Sequence, residues 1–155
     1  MRLTHNSEKL RRALAKLGAT LTTSDAVDCF LIGNPDFTNQ IAGVLAPAVA
    51  RIEYDLLAGL TPSVAPLLHT LATFLGDQHY VGYQSPCCPT LIPHVNNKKV
   101  ILISDILRSH EQAEQRATKI QATGGKVLMH ITIFLAHALT HHDHYRYLET
   151  LPPGI

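Results

Sequence analysis

Ser104 and Asp105 close the apolar run Val100, Ile101, Leu102 and Ile103, and Arg108, Ser109 and His110 follow after Ile106 and Leu107. Two hydroxyls, a carboxylate, a guanidinium and an imidazole so close together can bind an anion and the hydroxyls of a sugar. Position decides whether they do. An unbroken apolar run suits a strand covered on both faces, and polar residues at the carboxyl end of such a strand stand where parallel sheets bind ligands. Ser109 with Gln112 three residues later is a capping-box pattern, which predicts a helix opening there. The turn between strand and helix would aim backbone N–H groups at a phosphate or another anion.

The same residues have ordinary structural uses. Asp105 can cap the turn behind it or pair with Arg108, and Ser109 can be a plain helix cap beside a solvated Arg108. His137, His141, His142 and His144, with Asp143, invite a metal reading because imidazole is a common metal ligand. On a helix, however, His137 and His141 share a face while His142 and His144 point elsewhere, so no metal site is assigned. Cys87 and Cys88 with His94 lack a third orienting group, and no catalytic residue is assigned.

The elements that must hold the site read as alternating helices and strands. Leu10, Leu14 and Leu17 recur at helical spacing after Asn6, Ser7 and Glu8, with Gly18 as a stop. Residues 26–32 read as an edge strand containing Asp28. Asp36 is expected to cap a second helix carrying Phe37, Ile41, Val44, Leu45 and Ala48 on one face, which Pro47 should kink or end early. A strand at 54–59 precedes a helix from Pro62 to Leu75, stopped by Gly76. Strands at 79–83 and 99–104 flank an irregular Pro- and Cys-containing loop at 85–97. A helix at 111–123 ends at Gly124 and Gly125, and a strand at 126–134 follows. Such alternation predicts one α/β domain at 1–135, with a mainly parallel sheet and helices on both faces. Residues 136–155 fall outside the pattern, as a His- and aromatic-rich tail read as a packed helix or an assembly element.

Composition bounds what such a domain does. At 155 residues, 46% hydrophobic and 16% charged, the chain can bury a core without disulfides or metal. A formal net charge of +1 gives no strong nucleic-acid signal, and any such role would need a local patch. Three cysteines without CxxC spacing imply neither a disulfide framework nor a zinc knuckle, which makes a reducing, cytoplasmic location the expectation. No signal-peptide pattern opens the chain and no apolar stretch is long enough for a membrane span, so a soluble protein is expected.

Four stretches together resemble a known family. The run from Val100 to Asp105, the Gly124-Gly125-Lys126-Val127 stretch, the opening helix from Leu10 to Ala19, and Tyr54-Asp-Leu-Leu-Ala-Gly59 are similar in order to the type I phosphoribosyltransferases, most of all the orotate phosphoribosyltransferases. The resemblance implies that family's fold, with Ser104, Asp105, Arg108, Ser109 and His110 facing a ribose phosphate. It also implies that Ala58, Gly59, Thr61 and Ser63 stand where the family holds pyrophosphate. Phosphoribosyl pyrophosphate or a nucleotide becomes the expected ligand, Mg²⁺ the cofactor if the chain is active, and a homodimer or a subunit of a larger complex the expected assembly.

Departures from the family pattern imply weakened chemistry. Ser104 replaces the first of two adjacent acids, and the loop at 60–66 reads Leu-Thr-Pro-Ser-Val-Ala-Pro, with no glycine and two prolines that lack amide donors. Gln84 and Ser85 stand in place of a basic pair, and 86–94 offers His94 but no Lys or Arg. Phosphoribosyl transfer needs cations on the departing pyrophosphate, and one lost stabilising donor costs on the order of 10²–10³ in rate. The expectation is a catalytically impaired relative that serves as a nucleotide- or phosphate-binding module or as a structural subunit. The alternative is an active phosphoribosyltransferase that makes a nucleoside monophosphate from a base.

Overall fold

Helix α1 (Glu8–Thr20) buries Leu10 and Leu14 at helical spacing and runs two residues past Gly18, the expected stop. The computed structural model describes residues 1–3, 8–20, 33–59, 61–76, 80–83, 95–140 and 144–151, with the side chains at 9, 17–20, 62 and 80–83 outside that description. The expected strand at 26–32 and most of the loop at 85–97 lie outside the described residues.

Helix α2 (Pro35–Val49) begins two residues earlier than a cap at Asp36 predicts. Asn34 is the cap, its side chain accepting from Phe37 N at 3.1 Å, and Asp36 becomes a first-turn acid. Pro35 explains the shift, because a proline at the first helical position has its φ preset and no N–H to satisfy. Phe37, Ile41 and Leu45 are buried along one stripe, with Val44 and Ala48 partly buried beside it. Pro47 sits inside the last turn and the helix ends two residues beyond it.

Strand β1 (Leu56–Gly59) leads through a 3₁₀ turn (Pro62–Val64) into α3 (Ala65–Leu75), which Gly76 closes in the left-handed conformation at φ 87°. Strand β2 (Tyr80–Tyr83) follows, then β3 (Lys99–Leu107), α4 (His110–Gln121), β4 (Lys126–Leu135), a 3₁₀ turn (His137–Leu139) and β5 (Tyr145–Thr150). The sheet order is β2-β1-β3-β4-β5 and every pairing is parallel. From β1 the chain steps to one side for β2, then crosses to the other side for β3, β4 and β5. That reversal between β1 and β3 opens a crevice at the carboxyl ends of those two strands.

Alternation along the strands divides the core. Leu57, Ile101 and Ile103 pack under α1, α2 and α3, while Leu56, Ala58, Val100 and Leu102 meet Val95 and Ile120 of α4 on the other face. Each fully buried aliphatic side chain contributes ~1.5–3 kcal/mol.

Two expectations need correcting. The apolar pattern ends strand β3 at Ser104, yet the strand continues to Leu107 because β4 pairs with it all the way, Ile106 opposite Phe134 and Leu107 opposite Leu135. Ser104 and Asp105 are therefore inside the strand. A packed helix is expected in the tail at 136–155, whereas Tyr145–Thr150 is the fifth strand of the sheet. Tyr145 and Tyr147 pack with Leu107 and Leu135, and Leu148 and Leu151 enter the main core. Residues 1–3 run along the outer edge of β5, where Leu3 N donates to Tyr147 O at 2.7 Å and Arg2 pairs with Glu149 at 2.7 Å.

Candidate functional site

Strand β1 ends at Gly59, opposite Ile103, so the last four residues of β3 project past it into the crevice. The 3₁₀ turn after β1 folds back into that space. Gly59 makes the fold-back possible, since a Cβ there would lie 2.4 Å from Val64 Cγ2 and 2.7 Å from Leu68 Cδ1. A larger residue there would force the Val64 and Leu68 side chains to shift.

The turn delivers Ser63 to Asp105. Ser63 Oγ is 2.9 Å from Asp105 Oδ2 and 3.1 Å from Thr61 Oγ1, and Ser63 has no solvent exposure. An ionised carboxylate only accepts, so Ser63 donates to Asp105 and Thr61 donates to Ser63. The second carboxylate oxygen, Oδ1, accepts from Ile106 N at 2.7 Å, and Asp105 is 3% exposed. Both oxygens of the acid are thus bonded within the protein. Among the described residues no ion pair joins Asp105 to Arg108. Its charge is met from α4, where partly buried Arg116 donates to Ile106 O at 3.1 Å. Burial pulls the Arg116 pKa down and the nearby Asp105 carboxylate opposes that pull.

Ser104 is turned to the other face of the sheet. Its Oγ shares a hydrogen bond of 2.9 Å with His130 Nε2, and both residues are buried. Burial, reinforced by the Arg116 charge, pushes the His130 pKa down to about 3, so the imidazole is neutral across the physiological range. Thr132 Oγ1 completes the strand-end network, lying 3.1 Å from Asp105 O and 2.9 Å from Phe134 O.

Arg108, Ser109 and His110 occupy the exposed turn into α4. The expected capping box forms with a one-residue offset. Ser109 Oγ accepts from Gln112 N at 3.1 Å, while Gln112 Oε1 accepts from Arg108 N, rather than from the cap residue, at 2.9 Å. Two amides of the turn are occupied by these side chains. His110 faces sideways, its Nδ1 bonded to the Tyr145 hydroxyl and its Nε2 3.1 Å from Glu114 Oε1. The Tyr145 pKa is raised by burial and by Glu114.

The structure therefore brings Thr61, Ser63 and Asp105 together, places Ala58 and Gly59 as buried packing at the end of β1, and sets Ser104 apart with His130. Arg108 and Ser109 remain at the helix start. His130, Arg116 and Thr132 are the members that sequence reasoning missed, and the signal for His130 was an imidazole in the middle of a mostly apolar strand. Among the described residues no group of three His, Cys, Asp or Glu side chains converges as metal ligands. His141, His142, Cys87, Cys88, His94, Gln84 and Ser85 lie outside the described residues.

No protein-family model matches the chain, and no curated protein matches it by sequence. Solved structures do. The chain overlays Leishmania donovani UMP synthase with a TM-score of 0.75 at 14% identity, covering 95% of itself and 37% of that chain. Orotate phosphoribosyltransferase of Mycobacterium tuberculosis in complex with inorganic phosphate gives 0.72 at 16% identity, with 92% and 94% covered. Adenine phosphoribosyltransferase of Thermoanaerobacter pseudethanolicus gives 0.61 at 16% identity, with 77% and 83% covered. The resemblance read from the strand and glycine stretches holds at the level of architecture: this chain has the type I phosphoribosyltransferase fold.

Proposed function

We propose that the chain is a catalytically impaired, orotate phosphoribosyltransferase-like protein that binds a nucleotide or another phosphate-bearing ligand at the carboxyl ends of β1 and β3. The observation that carries this reading is the state of Asp105. The one acid retained at the strand end is 3% exposed, with one oxygen bonded to Ser63 and the other to Ile106 N. A ribose hydroxyl would have to displace Ser63 to reach it. Ser104, standing where a second acid would be, is bonded to His130 on the far side of the sheet.

Mg²⁺ does not fit this donor set. The ion takes oxygen ligands at near-octahedral geometry and relies on carboxylates that face the substrate phosphates. Asp105 presents none of its oxygens to the crevice, so no step of the chemistry is routed through a metal. Phosphate affinity in this reading rests on the start of α4, where Arg108 adds a bidentate cation to the positive end of the helix. Ser104, Asp105, Ala58, Gly59, Thr61 and Ser63 shape the crevice rather than neutralise its ligand.

A homodimer, or membership of a larger complex, belongs to the same proposal, as does a cytoplasmic setting. No helix among the described residues is long and apolar enough to cross a membrane.

Calorimetric titration with phosphoribosyl pyrophosphate, orotidine and purine monophosphates and inorganic phosphate tests the reading, alongside an assay of orotate-dependent pyrophosphate release. Binding without release is expected. Turnover on the order of ~1 s⁻¹, the low end of ordinary enzymes, would replace this reading with an active phosphoribosyltransferase. Failure of every ligand to bind would leave a structural subunit.

A further inference from the structure

A cleft of about 190 Å³ lies between α4 and the strands β4 and β5, on the sheet face opposite the Ser63–Asp105 bond. An apolar cavity of ~150 Å³ holds one benzene ring, so the space suits a single ring. Leu102, Val127, Ala113 and Ala117 give it aliphatic walls. Tyr145 stands edge-to-face with both His110 and His130, the ring centroids 6.0 and 6.2 Å away, and the three rings form an aromatic corner of the lining.

The polar group that decides the ligand is His130. The residue is 5% exposed, and its Nε2 is bonded to Ser104 Oγ at 2.9 Å. Ser104 is buried too, and that bond is its side chain's one hydrogen bond among the described residues. A buried hydroxyl with no second acceptor has to donate to the imidazole, which makes Nε2 the acceptor and leaves the proton of the neutral ring on Nδ1. Nδ1 makes no hydrogen bond to a described residue and is not sealed from solvent, so it opens on the cleft that His130 lines. The cleft therefore holds an N–H donor set among apolar walls. The formally charged side chain of the lining is Glu114, an acid already bonded to His110 Nε2 at 3.1 Å. An anion would meet a like charge there, and a cation would find the acid engaged.

We propose that this cleft binds a small neutral ring compound bearing a carbonyl, its ring packed between the α4 wall and the corner of His110, Tyr145 and His130, its carbonyl accepting from His130 Nδ1. The site stands apart from the crevice and from the function proposed for it, although His110 borders both the cleft and the α4 turn.

Benzamide, toluene and benzoate present one ring with a neutral carbonyl, with no polar group and with a charge. In the intact chain labelled with ¹⁵N histidine, the His130 signals should show Nδ1 protonated, and benzamide should shift them saturably. Toluene and benzoate should each bind about tenfold more weakly, the first leaving the donor unmet and the second bringing an unpaired charge into the cleft. Ala117→Leu should abolish the shifts by filling the space. Ser104→Ala combined with His130→Leu removes both partners of the buried bond and strands neither. Followed by the Tyr145 ring signals, that double variant should raise the benzamide Kd about tenfold and leave the toluene Kd unchanged. Inorganic phosphate should not compete with benzamide. A His130 protonated on Nε2, unmoved signals, equal affinity for the three compounds, undiminished binding in Ala117→Leu, an unchanged benzamide Kd in the double variant, or competition by phosphate would each overturn the assignment.

Discussion

Ser63 and Asp105, 42 residues apart in sequence, are joined by a hydrogen bond of 2.9 Å that ties the turn after β1 to the end of β3. In a site built to hold a sugar, that carboxylate would face outward. Here a serine of the neighbouring turn bonds one of its oxygens and the backbone N–H of Ile106 the other. The bond therefore ties the turn to the strand end and occupies one oxygen of the buried acid.

Ser63→Ala should destabilise the protein by ~1–3 kcal/mol, because a buried carboxylate oxygen loses its donor and finds no water. Asp105→Asn in the Ser63→Ala background should then cost less than in the wild type, since the two residues share one interaction. Urea unfolding of the four proteins measures both effects. Additive losses would show that Ser63 and Asp105 act separately.

His130 predicts a dependence of stability on pH. The unfolded imidazole takes up its proton near 6.5, while the folded one resists protonation down to about 3. Between those values the unfolded state binds more protons, so stability rises with pH across the window and is lost as pH falls through it. The loss is on the order of a few kcal/mol when the window is crossed fully. His130→Gln keeps a partner for Ser104 without the titration, and its urea midpoint should fall less between pH 7 and pH 4.5. Equal slopes for variant and wild type would remove His130 as the source.

Much of this arrangement was legible in the chain, and the parts that were not have physical reasons. The order of strands and helices follows from apolar runs and from local stops and caps such as Gly76 and Ser109, whose conformations are fixed by their neighbours. The end of β3 was misread because Ser104 and Asp105 look like a polar terminus. They are tolerated inside the strand by His130, 26 residues away, and by Ser63, 42 residues away, and no local pattern announces such partners. β5 did carry a signal, since Tyr145, Tyr147 and Arg146 alternate with period two, but the preceding histidines drew attention to helical spacing instead.

The start of α4 remains the place where an anion is expected. Crystals grown in phosphate or sulfate should show it between Ser104 and Gln112, and Arg108→Gln should weaken phosphate binding about tenfold, the scale of one charge-assisted contact. Arg108 is exposed, so the substitution should leave the thermal transition unchanged. An anion bound solely beside His144, with this turn empty, would show the assignment to be wrong.

The last expectation concerns assembly. The large apolar and aromatic residues described between 136 and 151 are buried within the chain itself: Tyr145 is 4% exposed, Tyr147 8%, Leu148 0% and Leu151 1%. These side chains are packed inside the fold and do not themselves form a surface for a partner. A chain ending at Phe134 loses β5 and uncovers Leu107, Ile131 and Phe134, and it should show no cooperative thermal transition. Within the intact chain Leu148→Ala should cost ~2–5 kcal/mol, as for other fully buried leucines. Light scattering of the intact chain at micromolar concentration then reads the oligomeric state directly, with a dimer mass expected. A folded, soluble chain ending at Phe134 would show that β5 is an appendage rather than part of the core.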